Sequence, residues 1–246
     1  MNKDKLCTQC KILQHTDKYF DDLDICHKCL YITDIDRYNT KKILEIIKYI
    51  KEYIYNDLHI KKITYTKPGS INYLLFGKQV SMQSYNIKFG IYGQILVKKL
   101  IEINPNLKLL DCGIQNINGK KLDVDLIWLN NKDNIIIYLE MKSNIDLDTE
   151  KLPATIQKCK IIKEYYKKKY QNYKIIYGIF HWSIYERSDI DIDDKNLIKK
   201  IEIIEKSLQV YHFTDFIDLI DIYWKKKDFY QYFSDIGKEL TQKYHL

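Results

Sequence analysis

Ile135, Ile136, Ile137, Tyr138 and Leu139 form an unbroken apolar run that leads directly into Glu140-Met141-Lys142. A half-buried strand alternates apolar and polar residues, whereas a continuous run needs cover on both faces, as a central strand of an α/β protein has. The run therefore predicts an α/β fold with a central mixed sheet flanked by helices. Its charged end sets a chemical problem. A carboxylate emerging from such a strand is costly to bury alone, so Glu140 needs a cation. The segment before it, LDVDLIWL, carries Asp123 and Asp125 two apart, which predicts that they share one face of a neighbouring strand. One oxygen each from Asp125 and Glu140, with the Met141 backbone carbonyl, would make an incomplete oxygen shell. Mg²⁺ suits such a shell because it keeps several waters and accepts substrate phosphate. Lys142 then stands where it can activate water and offset charge developing on a phosphorane-like transition state. The plainer alternative is a rim of exposed charges paired in salt bridges, since D-x-D and E-x-K are common by chance.

The pattern around the run favours the site. Ile91, Ile95, Leu96, Leu100 and Ile101 predict a helix over residues 87–103, which Asn104-Pro105-Asn106 ends. Strands are expected over 107–114, 121–129 and 135–139, with a turn at Asn118-Gly119. Asp148 or Thr149 can cap a following helix that tolerates Pro153 in its first turn and carries Ile156, Ile161, Ile162 and Tyr165. Residues 174–180 read as one more strand, and two or three helices are expected between Asn196 and Tyr244. The order helix, three strands, helix, strand sets Asp125 and Glu140 on neighbouring strands. Glu150 reads as a helix N-terminal charge favoured by the dipole.

The N-terminal 32 residues have a different logic. Cys7 and Cys10 form one CxxC and Cys26 and Cys29 another, with fifteen residues between the pairs. That is the spacing of a structural zinc site, in which each knuckle points two thiolates at one tetrahedral Zn²⁺. So short a segment cannot bury enough apolar surface to fold alone, and the metal would supply the folding energy. Disulfides or free thiols are the alternatives. Ile43, Ile46, Ile47, Ile50 and Ile54 predict an amphipathic helix over residues 40–58. Cys112 and Cys159 stand apart and read as small buried hydrophobes. The expected organisation is a zinc-binding ribbon over 1–32, a linker helix and connecting segment over 33–83, and the main domain with C-terminal helices over 84–246.

The pattern Asp125…Glu140-Met141-Lys142 resembles the PD-(D/E)XK nuclease superfamily. The segment LEMKSNIDLDTEKLPATIQKCK is more narrowly similar to type II restriction endonucleases, including those of large DNA viruses, and the likeness covers about residues 84 to 182. The N-terminal module is similar to double-knuckle ribbons found beside phage and viral nucleases. Val124 stands where the family has proline, which bears on whether Asp123 or Asp125 is the ligand; the spacing of Asp125 to Glu140 leaves room for one hairpin and favours Asp125. The resemblance implies a restriction-endonuclease-like core that hydrolyses double-stranded DNA with Mg²⁺ and leaves 5′-phosphates. Asp125 and Glu140 would hold the metal with the Met141 backbone, and Lys142 would activate water. Asp123 and Gln94 are auxiliary candidates, with Glu102 a further one from the same helix. A homodimer is implied by cleavage of both strands at a palindrome, and a cognate DNA methyltransferase is the partner of a restriction system. A structure-selective nuclease of the junction-resolvase or repair type, and a non-catalytic zinc-ribbon DNA-binding protein, are the competing readings.

Charge adds detail. The chain has 40 basic and 33 acidic residues among 246, and only Arg37 and Arg187 are arginines. Lysine gives salt-sensitive attraction to phosphate but little bidentate base reading. Ser143, Asn144 and Trp182 are the candidate DNA contacts, Trp182 equally a core residue; Lys167-Lys168-Lys169 reads as a solvated helix face. The 22 tyrosines fit an AT-rich coding bias better than a stacking surface. No apolar run is long enough to span a membrane, and MNKDKLCTQC lacks the apolar core of a signal peptide. A reducing, intracellular compartment such as a cytoplasm is the expectation, not secretion.

Overall fold

The computed structural model describes residues 4–6, 13–15, 27–60, 65–78, 81–145 and 151–244. Cys7, Cys10 and Cys26 lie outside them, as do Asp148, Thr149, Glu150 and the side chain of Cys29. Two compact units divide the chain, Met1–Glu45 and Ile46–Leu246. In the first, β1 (Asp4–Leu6) pairs antiparallel with β2 (Leu13–His15). Helix α1 (His27–Ile60) starts in this unit and ends in the second, so it is longer than the isoleucine pattern alone predicts.

The second unit is α/β. Its elements are α2 (Ile71–Phe76), α3 (Met82–Ile101), β3 (Leu107–Leu109), β4 (Gly113–Ile117), β5 (Lys120–Val124), β6 (Leu126–Asn130), β7 (Ile135–Lys142), α4 (Lys151–Lys169), β8 (Lys174–His181), α5 (Ile192–Ile204), β9 (Gln209–His212), α6 (Phe213–Leu219) and α7 (Lys226–Tyr244). The main sheet has the order β3-β6-β7-β8-β9. Strands β3, β6 and β7 pair antiparallel, while β7, β8 and β9 run parallel, so the sheet is mixed. The apolar run is its middle strand, with Ile136 to Met141 all buried, as both-faced cover requires.

Helices supply that cover. On one face Ile156, Cys159 and Ile162 of α4 and Ile198 and Ile201 of α5 join Ile127, Ile136, Tyr138 and Ile179 in one apolar cluster. On the other, Phe180 and Trp128 meet Phe216 of α6, at ring-centroid separations of 4.8 and 6.0 Å. Phe213, Trp224 and Phe229 extend this aromatic layer to α7. In α1, Ile50, Ile54 and Leu58 form the buried stripe that helical spacing predicts. Tyr92 of α3 donates to Asp57 at 2.8 Å, and the Lys88 ammonium lies 3.2 Å from the same carboxylate.

Three departures from the expected elements matter. The strand expected over 107–114 is two strands, because Gly113 takes φ +92°, a left-handed backbone that costs glycine little. The strand expected over 121–129 also divides, at Asp125. Its first half, β5, pairs with β4 in a separate hairpin, and its second half, β6, enters the main sheet. Strand β9 lies where only helices were expected. Its four residues carry too little pattern to be read locally, and pairing with β8 creates it. Among the described residues no helix is long and apolar enough to cross a membrane.

Candidate active site

The division at Asp125 builds the site. Asp123 remains on β5 and is exposed, whereas Asp125 sits in the break between β5 and β6 and is buried. The two acids do not share one strand face, because the chain changes sheets between them. Register Leu126↔Leu139 brings Asp125 alongside Glu140 on β7. The Met141 backbone N–H donates to Asp125 Oδ2 at 2.9 Å. Since Lys142 O accepts from Trp182 N, just past the end of β8, strand alternation turns the Met141 N–H and carbonyl the other way, toward Asp125.

Glu140 is 2% exposed and ringed by donors. Lys142 Nζ lies 2.7 Å from its Oε1, Lys158 Nζ 2.6 Å from its Oε2, and the Tyr138 hydroxyl donates to Oε2 at 2.9 Å. Lys158 also stands 3.9 Å from Asp125 Oδ1. Two carboxylates thus face two ammonium groups. Burial pushes Asp125 up to about 6, with Glu140 adding to the rise and Lys158, Lys142 and the Met141 amide opposing it. Burial would raise Glu140 as well, but Lys142 and Lys158 outweigh it and hold the carboxyl below its ordinary range. Burial would lower Lys158, yet Glu140 and Asp125 keep its ammonium above the usual lysine value. Burial, with Cys159, Glu140 and Asp125 adding to it, drives Tyr138 well above an ordinary phenol, so its hydroxyl stays a donor.

Lys158 and Tyr138 were not among the residues the motif picked out. Their signals are periodic. Lys158 follows Thr155 by three positions and precedes Ile162 by four, which sets a lysine beside the buried stripe of α4. Tyr138 is the one polar-tipped residue of the apolar run, two positions before Glu140 on the same face.

The remaining candidates divide. Trp182 is buried, and a Cβ on Gly93 of α3 would come within 2.6 Å of its indole, so Trp182 is a packing residue that needs glycine opposite it. That burial supports the core-packing alternative for Trp182. Ser143 and Asn144 are exposed just beyond β7, and the Ser143 carbonyl accepts from Ser183 Oγ at 2.5 Å. Gln94 lies part-buried on α3 and makes no hydrogen bond to the carboxylates. Glu102 is exposed at the end of that helix, 2.9 Å from Lys99. Cys159 is fully buried and pushed up to about 12 by that burial, in keeping with a small apolar residue.

Among the described residues no group of three or more His, Cys, Asp or Glu side chains is arranged to hold a metal ion. The oxygens near Lys158 that could serve a cation are Asp125 Oδ1 and Glu140 Oε2, with the Met141 carbonyl on the same strand as Glu140. Such a hard, incomplete set fits Mg²⁺, which dehydrates reluctantly and needs few protein ligands. The ammonium of Lys158, set between the two carboxylates, shows that a cation is accepted there. No protein-family model matches the chain, and no curated protein matches it.

Proposed function

We propose that the chain is a Mg²⁺-dependent DNA endonuclease of the restriction type, built on a PD-(D/E)XK core. One observation carries the proposal: Asp125 and Glu140, on adjacent segments at the C-terminal end of β7, converge with the Met141 backbone and with Lys142 bonded to Glu140. Salt bridges at an exposed rim would not need this burial, since a surface ion pair forms without leaving water.

In this reading Asp125, Glu140 and the Met141 carbonyl hold Mg²⁺, which when bound polarises the scissile phosphate and makes the attacking water more acidic. Lys142 orients that water and offsets the negative charge that grows on the phosphoryl oxygens. Water oxygen bonds to phosphorus, the bond to the 3′-oxygen breaks, and a proton reaches the leaving oxygen, giving 5′-phosphate and 3′-hydroxyl ends. A homodimer would cut both strands, Ser143 and Asn144 would meet the backbone, and a Zn²⁺ ribbon on Cys7, Cys10, Cys26 and Cys29 would brace the fold or extend the DNA surface.

The test is digestion of unmethylated genomic DNA with Mg²⁺, followed by sequencing of the ends. Discrete fragments with one shared end sequence, abolished in Glu140→Gln, are expected. Intact linear duplex with cleaved branched DNA would select the structure-selective enzyme. Duplex and branched DNA both left whole in Mg²⁺ and Mn²⁺ would refute the nuclease reading.

A further inference from the structure

Lys158 has no role in the chemistry above, yet it is the best-placed cation in the site. Each carboxylate has one oxygen anchored by the strand and one turned toward this lysine. Asp125 Oδ2 is held by the Met141 amide and Glu140 Oε1 by Lys142, while Asp125 Oδ1 and Glu140 Oε2 face Lys158 Nζ at 3.9 and 2.6 Å. Two oxygens from two neighbouring segments directed at one cation is the arrangement a divalent ion needs, drawn in to shorter distances.

Charge count makes the two occupants exclusive. Asp125 and Glu140 against Lys142 and Lys158 form a neutral quartet. Adding a divalent ion would leave a buried excess of two positive charges, which the low-dielectric surroundings penalise heavily. Lys142 is tied to its own strand and to the anchored oxygen of Glu140. Lys158 reaches in from α4 on a flexible stem, with its side chain about one-fifth exposed, so it is the group free to leave.

We infer that Lys158 is a resident counter-ion: its ammonium fills the metal position in the metal-free protein, and a divalent cation binds by displacing it toward solvent. The metal and its role rest on the nuclease reading; the competition is an added property of this chain. Lysine in this place keeps two adjacent carboxylates from repelling each other before metal arrives. It also weakens metal binding by the free energy of the pair it breaks. Once displaced, the ammonium lies at the mouth of the site, where a phosphodiester can take it as a new partner.

The experiment measures metal affinity rather than cleavage. Mn²⁺ binding to the full chain is followed by electron paramagnetic resonance, in wild type, Lys158→Met and Lys158→Met/Glu140→Gln. Lys158→Met should bind Mn²⁺ about tenfold more tightly or better, because the competing ion is gone, and the added Glu140→Gln should abolish that gain. Equal or weaker binding by Lys158→Met overturns the inference, as does no binding by either protein. A second measurement needs no variant. Amine acylation of wild type, read by mass spectrometry with Lys99 as internal reference, should be several-fold faster at Lys158 in saturating Ca²⁺ than without it. An unchanged or slower rate overturns the displacement. Metal bound with no effect of Lys158 defeats this inference alone, whereas metal competition without DNA cleavage defeats the nuclease reading alone.

Discussion

Glu140 and Lys142 on β7 share a sheet face with His181 on β8 and His212 on β9, since the register runs Lys142↔His181↔His212. All lie at the C-terminal ends of their strands, and Glu140, His181 and His212 are each at most 3% exposed. The carboxylate cluster keeps its charge inside the protein by surrounding it with donors. The histidines are arranged differently, with His212 Nδ1 3.6 Å from Asp215. Their rings stand 5.9 Å apart, and His181 Nδ1 and His212 Nε2 have no hydrogen-bond partner among the described residues. Burial, with His212 adding to it and a Ser143 backbone hydrogen bond opposing, lowers His181 to about 4, so it is neutral at physiological pH. The carboxylate cluster meets burial by pairing its charge, and the neighbouring His181 meets it by shedding charge.

Breaking the paired side should have the largest effect. Glu140→Ala leaves two ammonium groups without their main counter-charge and should cost about 3–5 kcal/mol in urea unfolding, the usual toll of an orphaned buried charge. A loss under about 1 kcal/mol would show that the quartet behaves like a surface ion pair.

The neutral side should show itself in pH dependence. His181 binds a proton less readily in the fold, about 4 against an ordinary 6.5. Its contribution to stability is therefore full above about pH 6.5 and is lost as pH falls toward 4. Asp125 has the opposite sign: raised from 3.8 to about 6, it favours the fold at low pH and loses that contribution as pH rises through 6. Wild type should thus show partly cancelling slopes across this window. His181→Leu should remove up to about 1.4 kcal/mol of upward slope per pH unit, on the order of 3 kcal/mol over the window. Parallel unfolding profiles for the two proteins would remove the contrast between the regions.

Smaller effects sharpen the comparison within the cluster. Lys142→Met should cost about 2 kcal/mol, less than Glu140→Ala, because Lys158 still neutralises the remaining carboxylate. Tyr138→Phe should cost only about 1 kcal/mol, one hydrogen bond among three at Glu140. If Tyr138→Phe proved the costlier of the two, the hydroxyl rather than the ammonium would be the mainstay of Glu140.

Much of this edge was legible in the residues. An unbroken apolar run can be satisfied only by cover on both sides, so β7 and its charged end were readable from eight consecutive residues. Helices α3 and α4 announced themselves by periodicity, though α3 begins five residues before the expected start at Ile87. The division of strands at Gly113 and Asp125 was not legible, because each half keeps a strand's alternation and only the change of sheet separates them. Nor was β9, which depends on a parallel partner some thirty residues away, Gly178 opposite Gln209.

The sequence by itself determined the local terms: which strand is central, which helices are amphipathic, and that Glu140 must find a cation. Periodicity and desolvation act over a few residues, so both can be read along the chain. Spacing favoured Asp125 over Asp123, but the tertiary structure alone decided that the chain changes sheets between them and that Lys158 from the next helix is the cation found beside Asp125 and Glu140. Those choices depend on where the chain changes sheets and where α4 crosses them, and a Coulomb interaction depends on distance in space, not on separation in sequence.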